Sequence, residues 1–94
     1  MSTPVFTVNE ELVKDVVALA IKHKKQIKIA YLDKKGNSEN RIVEPFDNSN
    51  SKNFGGYCHL RKAYRNFSYD RVVRIVLMDY DWTQEPPQKQ AEAE

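Results

Sequence analysis

The sequence predicts a mainly β domain with one helix at its N-terminal end, and three observations carry that prediction. Residues 9–23 repeat their apolar positions at the period of a helix, and the later stretches alternate or cluster β-branched and aromatic residues as strands do. The chain is 94 residues long, enough for one modest core and no second domain. A helix followed by about five short strands argues for a small barrel or strongly curved sheet, with the helix at its side or mouth.

The helix is NEELVKDVVALAIKH, in which Leu12, Val13, Val16, Val17, Leu19, Ala20 and Ile21 fall mostly on one stripe. Thr7 and Glu10 have the spacing of a capping box, with acids at the start and Lys22, Lys24 and Lys25 at the end to complement the helix dipole. QIKIAYLD then alternates Ile27, Ile29 and Tyr31 with Lys28 and Ala30 as a half-buried strand, and DKKGN supplies a turn. The return strand ENRIVEPF contains Pro45, which lacks a ladder donor and belongs at a strand end or an edge. DNSNSKNFGG reads as a polar loop offering the core Phe54 alone. After it come a strand YCHL, a tight turn at residues 61–63, and the long run YRNFSYDRVVRIVLMDY, which bends near Asp70 into two strands. The domain is therefore placed at residues 9–83, between an N-terminal arm (1–8) and a Pro-, Gln- and Glu-rich tail (84–94) expected to be disordered and acidic.

Net charge is +2, which selects no partner, but the charges are sorted along the chain. Residues 1–51 hold eight basic against seven acidic residues, residues 52–78 six against one, and residues 79–94 one against five. Cys58 is the single cysteine, so no disulfide forms within the chain and no four-thiolate metal site can be assembled from it. The sequence calls for no metal and no cofactor. Its start lacks the plan of a signal peptide, and no apolar run reaches the roughly 18 residues of a membrane span, so a soluble cytoplasmic protein without a membrane partner is expected.

The candidate site is YCHLRKAYRNFSYDRVVRI, residues 57–75, which packs a histidine, three tyrosines and four arginines into a β-rich segment. In an extended run Arg65, Phe67, Tyr69 and Arg71 point one way. His59 and Arg61, two apart on the preceding strand, lie beside that row across the hairpin, and Tyr57 begins the same strand. Guanidinium forks match phosphates and aromatic rings stack on bases, so the pattern suits a nucleic-acid backbone. Phe67 has a stronger claim to the core than to a stacking platform, and a lone histidine is more often a structural hydrogen-bond partner than a ligand contact. With one cysteine, two histidines and no glycine-rich phosphate loop, enzymatic activity is not expected.

The helix, I-K-I-A-Y, R-I-V-E-P and Y-C-H-L-R-K-A-Y-R-N-F-S-Y-D-R-V in this order resemble the WYL domain family, over about residues 12–77. The resemblance implies an Sm-like small five-stranded β-barrel and a regulatory binding module of bacteria or phages that takes nucleic acid, often single-stranded, or a nucleotide-like ligand. It also implies that Tyr31, Arg41, His59, Arg61, Arg65 and Arg71 grip the anion. The Trp-Tyr-Leu triplet that names the family is absent, with GGYCHL in its place, which implies a shortened strand. One helix is too little for the helix-turn-helix that often accompanies the domain.

The leading expectation is therefore a stand-alone, non-enzymatic accessory module that binds single-stranded DNA or RNA through a basic, aromatic-interleaved face. The alternatives are a sensor of a small nucleotide-like anion acting through a protein partner, and a structural protein-interaction module; a homo-oligomer stays open.

Overall fold

The computed structural model describes residues 9–85. The N-terminal arm, with Thr7 of the expected capping box, and residues 86–94 of the expected tail lie outside them. Helix α1 spans Glu10–His23 and is capped by Asn9, whose Oδ1 accepts the Leu12 N–H at 2.8 Å. Lys24 ends it in the left-handed conformation (φ 57°), donating its N–H to the carbonyls of Ala20 and Ile21. The first strand starts at the next residue, so one left-handed residue turns the chain back beneath its own helix.

Strands β1 (Lys25–Leu32), β2 (Ser38–Asp47), β3 (Asn53–Cys58), β4 (Ala63–Ser68) and β5 (Val72–Asp81) form one antiparallel sheet in the order β4-β3-β2-β1-β5. Asp33 shapes the β1–β2 turn, its Oδ1 accepting the N–H groups of Lys35 and Asn37 while Gly36 takes φ 89°. Between β4 and β5 a 3₁₀ turn, Tyr69–Arg71, makes the bend expected at Asp70.

The core lies between α1 and one face of the sheet. Val13, Val17 and Ala20 meet Ile27, Ile29, Val43, Phe54, Cys58, Phe67, Tyr69 and Val72 there. Full burial of a valine or phenylalanine contributes about 1.5–3 kcal/mol, so this cluster is what holds the helix on the sheet. Leu12 and Leu19, placed on the same stripe by the sequence, are 49% and 45% exposed at its margins.

The strand pairing confirms the mainly β architecture and the five strands but not the expected barrel. β4 and β5 are the two edges of the ladder, so the sheet is not closed. Contact across the gap runs through side chains. The Tyr31 hydroxyl in β1 accepts the Ser68 N–H of β4 at 2.9 Å, its ring stands edge-on to Phe67, and Tyr69 is buried beside Phe54.

Two boundaries also move. The loop expected through Gly56 ends earlier, because β3 begins at Asn53. Gly55 and Gly56 are strand residues: a Cβ on Gly56 would stand 2.7 Å from Val43 Cγ1 and 2.8 Å from the Glu44 carbonyl oxygen, so the glycine permits close strand approach. At the C-terminal end, the expected start of the tail is pinned. Trp82 donates from its backbone to Lys24 and from Nε1 to the Lys25 carbonyl, and Gln84 and Glu85 also hydrogen-bond to the domain. Pro45 sits on an inner strand, but beyond Val43, the last β2 residue laddered to β1, so its missing donor interrupts nothing on that side.

Candidate anion-binding site

The inner face of the sheet changes character along its strands. On β1, Ile27 and Ile29 give way to Tyr31; on β2, Val43 gives way to Arg41; on β4, Phe67 gives way to Arg65. Each pair is two residues apart and shares a face. Beyond the apolar core the face therefore opens into a basic recess of about 320 Å³, walled by Tyr31, Arg41, Arg61, Arg65 and Arg71 and rimmed by the turn at Asp33 and Lys34.

Arg41 is the deepest of these, 8% exposed. Its Nη2 meets Glu39 Oε1 at 2.8 Å and its Nη1 reaches Cys58 Sγ at 3.6 Å, whereas its Nε is buried and has no hydrogen-bond partner among the described residues. Burial works against its charge, but the contacts with Cys58 and Glu39 outweigh it and hold the pKa above its ordinary value. Arg71 donates Nη1 to the carbonyls of Leu32 and Asp33, both at 3.1 Å, fastening the rim to the 3₁₀ turn and fixing the direction of its guanidinium. Arg61 and Arg65 are exposed at the mouth. The Tyr31 hydroxyl, already an acceptor for Ser68, keeps its own proton to donate. The recess can thus take an anion with several oxygens, because guanidinium groups present paired donors in fixed geometry.

Five of the seven sequence-predicted residues meet here: Tyr31, Arg41, Arg61, Arg65 and Arg71. Tyr57 and His59 do not. They lie on the other face, where Tyr57 pairs with Tyr64 across the ladder and its ring stands 5.6 Å from the His59 imidazole. β3 ends at Cys58, and the hairpin turn that follows, with Lys62 at φ 54°, breaks the alternation expected to keep His59 and Arg61 together. The expected row from Arg65 to Arg71 is likewise interrupted, since Tyr69 enters the core and Arg71 returns to the recess through the 3₁₀ turn.

The partner of His59 is Glu44, at 2.7 Å from its Nε2. Glu44 is 1% exposed, and Thr83 N–H, Thr83 Oγ1 and Gln84 N–H also donate to it. Burial alone would raise its pKa; the donors from Thr83, Gln84 and His59 outweigh that and hold it below the ordinary 4.5. Sequence reasoning missed Glu44, whose only signal is an acid set in the apolar run RIVEPF, and missed Lys34, Glu39 and Cys58 around the recess. Among the described residues no group of three or more His, Cys, Asp or Glu is arranged to hold a metal ion, and no helix is long and apolar enough to cross a membrane.

No match is found among curated proteins. Among solved structures, the chain is similar to proteasome accessory factor B/C (PafBC) of Arthrobacter aurescens, with a TM-score of 0.72 and 20% sequence identity over 97% of this chain. It spans 14% of the length of that protein, and the likeness establishes the fold. The family model for the WYL domain matches residues 13–77, from the second turn of α1 into β5 and including every residue named in the basic recess. The chain therefore belongs to the WYL domain family.

Proposed function

We propose that this domain is a cytoplasmic, non-enzymatic regulatory module that binds single-stranded nucleic acid by seating backbone phosphate in the arginine recess. The observation that carries the reading is Arg41, a buried guanidinium at the bottom of a recess walled by three further arginines. A buried charge costs several kcal/mol unless its donors are paired, and Glu39 meets only part of that need. A phosphate at Arg41 adds a second counter-charge beside Glu39, while Arg61 and Arg65 at the mouth hold the same or the adjoining phosphate.

A small nucleotide-like anion is the second reading, favoured by the concavity of the site. At about 320 Å³ the recess falls at the lower end of small-ligand sites, which run from about 300 to 1,000 Å³. On that reading a protein partner transmits the result.

The test is a fluorescence-anisotropy titration with a labelled mixed-sequence single strand, its duplex and a mononucleotide at two salt concentrations. Single-strand affinity that rises with length and falls steeply with salt is expected, at roughly 0.7 counterions released per phosphate neutralised. Tight mononucleotide binding without length dependence would favour the sensor, and no binding of any probe would leave a protein-interaction role.

A further inference from the structure

A second recess, of about 210 Å³, lies against β4 and is lined by Phe46, Asp47, Gly55, Tyr64, Arg65 and Asn66. We infer that it receives a nucleobase of the strand whose phosphate occupies the arginine recess; the inference rests on that reading of the first site.

Its walls have the chemistry a base needs. Phe46 and Tyr64 stand edge to face at 5.3 Å, and Tyr64 is itself 45% exposed, its hydroxyl donating to the Glu85 carbonyl. Across the ladder, Gly55 pairs with both Asp47 and Asn66. A Cβ on Gly55 would stand 3.4 Å from Asn66 Oδ1 and 3.5 Å from Asp47 Cβ, so the glycine keeps the floor between those side chains clear. Asn66 is exposed, and its amide presents a donor and an acceptor side by side, the pair that reads a base edge. The recess is smaller than the about 300 Å³ at which drug-sized ligand sites begin, suiting one planar ring rather than a whole nucleotide.

Its position supplies the link. Arg65 lines both recesses, and β4, which carries it, is an edge of the sheet. Among the described residues no further strand pairs with β4, so a chain leaving phosphate on Arg41 and Arg65 crosses the β4 edge and brings its neighbouring base against Tyr64. The turn at Arg61 and Lys62 adds positive charge beside the crossing. Sequence-tolerant stacking with modest base preference follows, because every base has a π-face and only Asn66 reads an edge.

The experiment compares a mixed-sequence DNA strand with an abasic strand of the same length, which keeps the phosphates and lacks the bases. The parent protein is expected to bind the base-bearing strand about tenfold more tightly, the size of one base–aromatic stack. Tyr64→Ala and, separately, Asn66→Ala are expected to bring that affinity toward the abasic value while leaving abasic binding unchanged. Circular dichroism checks both folds, and Asn66→Ala carries the test if truncating Tyr64 perturbs the sheet. Equal binding of both strands by the parent, or equal loss for both strands in the variants, overturns the base recess and leaves the phosphate site standing. Failure to bind either strand overturns both.

Discussion

Glu44 and Thr83, 39 residues apart, are joined twice: Thr83 N–H donates to Glu44 Oε1 at 2.8 Å, and Thr83 Oγ1 to Oε2 at 2.6 Å. Gln84 N–H and His59 Nε2 complete the shell, at 2.9 Å and 2.7 Å. One buried carboxylate thus ties the segment after β5 to the centre of the sheet, and four consequences can be measured.

Replacing Glu44 by Gln keeps the size but turns an amide toward groups that all donate. Some of those donors then lose their acceptor in a buried site, and the protein is expected to lose about 2–3 kcal/mol of stability in urea denaturation. Truncation before Thr83 should have an effect of similar size, because it removes three of the same donors together.

The same carboxylate sets a pH dependence. Its folded pKa lies below the ordinary 4.5, so its contribution is fully present above that value and is lost as pH falls through the lowered folded value. The stability gap between the parent and Glu44→Gln is expected to stay constant down to about pH 5 and to narrow below that, read by thermal denaturation from about pH 5.5 to pH 3.

His59 faces Glu44 rather than the arginine recess. His59→Gln should therefore lower stability by about 1 kcal/mol while leaving binding of an abasic strand, and its pH dependence, as in the parent. A loss of abasic-strand binding on this change alone would place His59 back in the anion site.

The arginines should separate binding from folding. Arg41→Met removes a buried charge whose carboxylate partner among the described residues, Glu39, is half exposed, so stability is expected to hold or rise while single-strand affinity falls at least tenfold. Arg65→Ala should flatten the salt dependence by about one contact with the fold unchanged. Arg71→Ala should lose both affinity and about 1 kcal/mol of stability, because Arg71 also holds the carbonyls of Leu32 and Asp33.

Much of this domain is legible along the chain, and the rest is not. The valines of α1, the alternation of β1, the bend at Asp70 and the arginine-rich hairpin are all local patterns, set by the periods at which side chains share a face. The same periodicity foreshadows the recess: Ile29 to Tyr31 and Phe67 to Arg65 are steps of two along single strands. It fails where the strand stops, so His59 parts from Arg61 at the turn after Cys58 and Tyr69 leaves the row of Arg65.

The sequence by itself determined the one helix, the five strands and the arginine-rich hairpin, because each depends on neighbours within a few residues, whereas Tyr31 and Arg41 entered only through the family resemblance. Only the tertiary structure decided that the sheet does not close, that Glu44 is the acceptor for the C-terminal segment, and that the buried Arg41 has no partner for its Nε among the described residues. Those facts depend on which distant segments come together, and β5 reaches the far edge of the sheet beside β1 only when the whole core has packed. A buried polar group takes its partner from whatever that packing brings within hydrogen-bond distance, a relation that no local period encodes.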